Sequence, residues 1–166
     1  THTETAESVN VVARLPGTDP TLAAEHVVLT AHLDHLGIGA AVDGDNIYNG
    51  AIDNALGVAV LLEAARRMST APQRPARSVL FVALTGEEKG LLGAQHFVAT
   101  PPVPKSSLVA NVNMDMPVVL GDLVDVVPVG IEHSSLKAVV EAAARESDFV
   151  LSPDPKPEET VFVRSD

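Results

Sequence analysis

His32, Asp34, Asp53, Glu87, Glu88 and Asp115 are of the types that hold a divalent cation or move a proton, and each lies at the boundary of an apolar segment. His32-Leu33-Asp34-His35 follows the apolar run HVVLTA, and Thr85-Gly86-Glu87-Glu88 follows SVLFVAL. Asp115 closes the run LVANVNM, and Asp53 stands just before a helical pattern. In open α/β sheets, ligands bind beyond the carboxyl ends of the strands. Four separate elements therefore deliver His, Asp, Glu and Asp to one edge of one sheet. If the first strand runs on, His32 and Asp34 point the same way, so His32 could bind a metal while Asp34 orients it or an adjacent group. Adjacent carboxylates such as Glu87 and Glu88 repel each other at the end of a hydrophobic run unless a cation sits nearby. One could coordinate that cation while the other takes a proton from water.

Taken singly, each feature has an ordinary explanation. A hydrated strand end accounts for His32 and Asp34, and a helix N-terminus for Glu87 and Glu88. Asp53 and Asn54 are capping candidates, and Asp115 could be a turn residue. Their common topological position is what these separate accounts leave unexplained. His35 reads as a rim residue, not a ligand. His26 and His96 read as packing or surface histidines, and His133 as a surface residue ahead of a helix. Ser134 and Ser135 lack a nucleophile-elbow context, and the acidic stretch from Gly86 to Gly90 would repel phosphate. Lys89 and Arg164 have no role that spacing assigns.

The elements that must carry these residues can be read from hydrophobic periodicity. Strands are expected at Val9–Leu15, His26–Ala31, Ser78–Leu84, Leu108–Met114 and Leu123–Val127, with a last one at Val161–Val163. Helices are expected over Ala55–Met68, Leu91–Val98 and Ser135–Glu146. The first buries a stripe of Leu56, Val60, Leu61, Ala64, Ala65 and Met68. Gly37–Gly50, rich in Gly, Asp and Asn, reads as a loop, as does the acidic, Pro-rich Ser152–Glu159. Strands alternating with helices predict an α/β domain with a mostly parallel central sheet and helices on both faces.

The 166 residues carry 46% hydrophobic and 20% charged side chains, so the chain can build one core that buries about two thirds of its unfolded surface. The core must be aliphatic, because there is no Trp and Tyr48 is the single tyrosine. The net charge of -11 argues against nucleic acid or a polybasic membrane patch. No apolar run reaches the ~18 residues of a transmembrane helix. The absence of Cys excludes disulfides, zinc–thiolate sites and thiol catalysis.

The ordered motifs resemble those of metallopeptidase family twenty-eight, the two-zinc exopeptidases that include aminopeptidase Y and relatives of glutamate carboxypeptidase. The segments that carry the resemblance are Val28–Gly37 (VLTAHLDHLG), Asn49–Val58 (NGAIDNALGV), Leu84–Gly93 (LTGEEKGLLG) and Asn113–Met116 (NMDM). The resemblance implies a zinc-exopeptidase-like fold and two Zn2+ ions, with Co2+ or Mn2+ as possible substitutes. It implies that His32 and Asp115 bind one zinc, that Glu88 binds the other, and that Asp53 bridges them. Glu87 would be the general base, Asp34 the supporting catalytic-site aspartate, and Asp53–Asn54 a cis peptide. Peptide or protein N-termini would be the substrate, and a secreted or periplasmic location is expected on the same ground. A carboxypeptidase or dipeptidase of the same fold, or a non-catalytic receptor-like domain, are the alternatives.

The family also uses a late histidine ligand, found after a stretch like Val163-Arg164-Ser165-Asp166. Residues 1–166 are therefore expected to be a single catalytic domain, incomplete at the C-terminus. The expectation for these residues is one tightly held zinc and poor hydrolysis of aminoacyl anilides. Two tightly held zincs would call for another donor, such as His35 or His133.

Overall fold

Two apolar heptapeptides make the centre of the sheet. In the computed structural model, which describes residues 5–117 and 121–166, β2 (His26–His32) and β5 (Ser78–Leu84) run parallel, in register from His26 opposite Ser78 to His32 opposite Leu84. Both are buried along nearly their whole length, as strands covered on two faces must be. β1 (Val11–Leu15) pairs antiparallel with β5, and β6 (Leu108–Asn113) pairs parallel with β2, giving the order β1-β5-β2-β6. The sheet is thus mostly parallel with one antiparallel edge.

Side chains alternate across this sheet and build a core on each face. Leu29, Ala31, Val79 and Phe81 pack against helix α1 (Gly57–Thr70) through Leu61, with Val58, Ala64, Ala65 and Met68 around it. On the other face, Val28, Leu80, Val82 and Leu84 meet α2 (Leu92–Ala99) through Phe97 and Ala94. The α1 stripe differs from the expected one at two positions: Leu56 precedes the helix and is outside this core, Val60 is 40% exposed, and Val58 packs toward the sheet instead. The outer side of α1 is polar, with Glu63 held by Arg66 and Arg67 one turn on.

The stretch read as a Gly-rich loop is a hairpin. β3 (Gly37–Val42) and β4 (Asp45–Tyr48) pair antiparallel around Asp43-Gly44. Both turn residues have positive φ, 51° and 88°, the demand that a two-residue primed turn places on the chain. The composition that suggests irregular backbone therefore serves the turn itself.

The chain divides into two compact units, 1–117 together with 166, and 118–165. The second contains two short parallel strands, β7 (Asp125–Val126) and β8 (Val150–Leu151), and helix α3 (Lys137–Glu146). Val161–Val163 is a helical turn, not the expected strand. It starts at Thr160, whose φ of 50° breaks any extended run, and Phe162 lies against the ring of His133.

Candidate metal centre

The carboxyl ends of β2, β5 and β6, together with the chain entering α1, bring the six residues singled out in the sequence to one place. His32 is the last residue of β2 and is fully buried. Its Nδ1 faces the backbone carbonyl of Asp34 at 3.1 Å, which assigns that nitrogen the proton and leaves Nε2 to look inward. Nε2 lies 3.1 Å from Asp53 Oδ1 and 3.3 Å from Asp115 Oδ1. Donor atoms around a tetrahedral zinc are about 3.4 Å apart, so these three atoms have the spacing of a ligand set.

Asp53 faces a second group with its other oxygen. Oδ2 lies 3.8 Å from His35 Nδ1, and that nitrogen is 2.8 Å from Glu88 Oε1. The ligand atoms of His35, Asp53 and Glu88 lie within 4.8 Å of one another, as do those of His32, Asp53 and Asp115. Asp53 is the member common to both sets. His35, read from the sequence as a rim residue, lies against Glu88 at this edge. Its signal in the sequence was only its place three residues after His32, beyond the end of the strand, where alternation no longer fixes direction.

The backbone around these groups is held by side chains. Asp34 accepts the amide N–H of Glu87 on Oδ1 at 3.1 Å and that of Glu88 on Oδ2 at 3.3 Å. Its carboxylate is farther from His32 Nδ1, at 3.9 Å, so it clamps the Glu87–Glu88 turn more directly than it orients the imidazole. Gly86 starts that turn with a φ of +67°, which a residue with a Cβ adopts only under strain. Asn54, 1% exposed, donates from Nδ2 to the carbonyl of Met114 at 2.9 Å. Its Oδ1 accepts the N–H of Gly57 at 3.1 Å and of Met116 at 3.3 Å. Asn54 therefore ties the segment carrying Asp53 to the one carrying Asp115 and also serves the start of α1. A Cβ on Gly57 would collide with Asn54 Oδ1 and the Met114 carbonyl, so glycine is what permits this approach. The Asp53–Asn54 peptide bond is cis.

The field at this edge favours positive charge. Burial alone would lower the proton affinity of His32, but the hydrogen bond to Asp115 and the charges of Asp115, Glu87 and Asp53 push its pKa up to about 9. The carboxylates that raise the proton affinity of His32 would equally favour a cation at this edge. Glu87 is raised above the ordinary carboxylate range, first by burial, then by Asp115, Asp166 and Glu88, against the lowering effect of His32. Asp166, which groups with the first unit, is pushed up to about 6 by burial and by Asp115 and Asp34. Beside the centre lies a cleft of about 730 Å³, with Asp34, His35, Thr85 and Gly86 at its inner end and Val12, Leu92 and Phe97 on its walls.

The donor set is oxygen and imidazole with no thiolate, which suits zinc or a similar divalent cation. A mostly parallel sheet with such a set at its carboxyl edge is the layout of a metal-dependent α/β hydrolase. The chain belongs to peptidase family M28, whose sequence model matches residues 10–166. A probable zinc metalloprotease of Pyrenophora tritici-repentis is 46% identical over 67 residues, covering 40% of this chain and 15% of that protein. Leupeptin-inactivating enzyme 1 of Streptomyces exfoliatus is 30% identical over 112 residues, covering 67% of this chain and 23% of that protein. The crystal structure of a zinc aminopeptidase from Bacillus subtilis superposes with a TM-score of 0.66 at 25% identity, covering 87% of this chain and 34% of that one. The chain thus spans between about a seventh and a third of the length of these relatives.

Proposed function

We propose that this protein is a zinc-dependent exopeptidase that releases residues from the amino end of peptides, with two cations sharing Asp53. The observation that carries this reading is the division of Asp53, one oxygen toward His32 and Asp115 and the other toward His35 and Glu88. One carboxylate serving two donor groups is the arrangement of a bridging ligand. His32 and Asp115 would hold one ion and Glu88 the other. Zinc in such a set supplies Lewis acidity toward the scissile carbonyl and toward water.

The remaining work falls to the chain itself. Glu87 takes the proton of the attacking water and returns it to the leaving amine, a task that a carboxylate with raised proton affinity suits near neutral pH. Asp34 fixes the backbone of Glu87 and Glu88 so that base and ligand keep their separation. Asp34, a carboxylate that lines the cleft and is not among the proposed donors, would attract a substrate ammonium and repel a substrate carboxylate, which favours the amino end of a peptide.

Competition between matched peptides tests this. The zinc-loaded protein should cleave a peptide with a free α-amino group and spare its N-acetylated form, while amidation of the carboxyl end should change little. Cleavage that needs the free carboxylate and ignores N-acetylation would replace this reading with a carboxypeptidase. Zinc binding with no cleavage of either would support a non-catalytic role.

A further inference from the structure

The loop that carries Glu87 is closed at its base by a side chain 75 residues away in sequence. We propose that Asn10 is a positioning residue for Glu87, fastening the two ends of residues 85–93 beside the metal centre. The inference rests on the role given to Glu87 above and adds the side chain that keeps it in place.

Three observations carry it. First, Asn10 completes a ring at the ends of the loop. Thr85 donates its N–H to Asn10 Oδ1 at 3.1 Å, and Asn10 Nδ2 donates to the Gly93 carbonyl at 2.8 Å. Gly93 in turn donates its N–H to the Thr85 carbonyl at 2.8 Å. The carboxamide thus bridges the end of β5 and the first turn of α2 as a further peptide unit would. Second, the fit is close. A Cβ on Gly93 would collide with the Thr85 carbonyl and with Asn10 Oδ1, so glycine is what admits the carboxamide. Third, the loop needs a fastening. Gly86, Gly90 and Leu91 all have positive φ, 67°, 97° and 60°, and a leucine seldom adopts that conformation. Such backbone persists only where its surroundings over-determine it. Asp34 grips the loop near its middle through the amides of Glu87 and Glu88, and Asn10 grips both ends. A base that must meet a water within hydrogen-bond reach tolerates little drift, since a misplacement of about 1 Å can cost about 100-fold in rate.

Amide hydrogen exchange read by NMR, with kinetics of the zinc-loaded protein, tests the clasp. In the wild type, the Thr85 amide should exchange at least about tenfold more slowly than an unstructured amide. In N10A, Thr85 and the amides of residues 87–92 should exchange about tenfold or more faster, while residues 79–83 and α1 keep their rates. G93A opens the same clasp from the other side and should give the same pattern. At saturating zinc, N10A should lower kcat by about 10–100-fold with KM within about twofold. It should add nothing to E87Q, because that variant already lacks the base that Asn10 positions. An unprotected Thr85 amide in the wild type, or unchanged loop exchange in N10A and G93A, would overturn the proposal and leave a cleaving enzyme standing. The same loss of kcat in the E87Q background would also overturn it, since Asn10 would then act on the protein at large. A wild type that binds zinc and cleaves no peptide would overturn the peptidase reading and this role with it. The Thr85 amide is read in the wild type, so the test does not depend on whether a variant folds.

Discussion

Replacing Asn54 by alanine should cost this protein both stability and metal affinity, although Asn54 is not a ligand. Its side chain is 1% exposed and makes three hydrogen bonds, to Met114 O, from Gly57 N and from Met116 N. Alanine leaves all three backbone groups without that partner. A buried group left unpaired costs about 1–3 kcal/mol. The Met116 bond is the longest at 3.3 Å and is weighted least. Water entering the vacated space would recover part of the loss. About 3 kcal/mol is the expected destabilisation, which for a chain of this size lowers Tm by roughly 6–12 °C. The same bonds set the Met114–Met116 segment against the Asp53–Asn54 segment, so Asp53 and Asp115 lose their common anchor. Zinc affinity should fall about 10–100-fold, the effect of losing an outer support. Urea denaturation of the metal-free protein measures the first quantity, and zinc titration under native conditions the second. A destabilisation below about 1 kcal/mol together with zinc affinity within twofold of wild type would refute the argument, because Asn54 would then not be what joins the two segments.

Other consequences follow from the same geometry. Glu87→Gln should lower turnover by about 10²–10⁴ with zinc content retained, whereas Glu88→Gln should lower zinc occupancy; equal zinc loss in both, measured by elemental analysis, would show the two roles to be misassigned. Asp34→Asn leaves one acceptor oxygen for the two amides of Glu87 and Glu88, so zinc affinity should drop about tenfold or more, and calorimetry showing no change would remove the clamp from the account. His26 is 4% exposed and its Nε2 has no hydrogen-bond partner among the described residues, and burial, aided by Arg14, lowers its proton affinity below the ordinary value of 6.5. The unfolded chain then binds more protons than the folded one as pH falls through that value, so the neutral ring's contribution is complete above about pH 6.5 and is lost below it, with a slope of at most about 1.4 kcal/mol per pH unit. His26→Gln should remove that part of the slope between pH 7.5 and 5 in urea denaturation, and an unchanged slope would assign it elsewhere.

The elements on which the site stands were legible because one physical rule governs each. Ser78–Leu84 is read to the residue because six apolar residues follow the buried Ser78 without a break, as a strand covered on both faces requires. The α1 pattern is sustained over four turns, and its start moved only because residues 51–56 coil irregularly around Asp53 and Asn54. Elements that depend on a turn or on distant partners were less legible. The Gly37–Tyr48 hairpin was hidden by its own turn residues, and Val161–Val163 has β-branched residues but a left-handed Thr160 before it. In the site, strand ends placed His32, Glu87, Glu88 and Asp115 at one edge, since topology alone sends them there. What topology does not encode is direction within a loop. That His35 turns toward Glu88 and that the Asp34 carboxylate turns toward two amides are decided by contacts 53 and 54 residues away in sequence.

The candidate ligands come from single positions, and the side chains of Asp34 and Asn54 fix the backbone between them. Asp34 holds the turn after β5 to the end of β2, and Asn54 holds the chain entering α1 to the end of β6. His32 is the hinge of this arrangement, with Nδ1 on the Asp34 carbonyl and Nε2 between Asp53 and Asp115. The ends of β2 and β6 and the helix entry are thus tied to one another around the carboxylates, and the turn after β5 is tied to the end of β2. Without these ties, the mutual repulsion of Asp53, Glu88 and Asp115 would spread the loops and enlarge the donor spacing. With them, the carboxylates stay gathered where a positive charge is favoured, and the raised proton affinity of His32 has the same cause. On the two-cation reading proposed above, a metal would enter a frame already built, in which side chains from four separate stretches of sequence act as one centre.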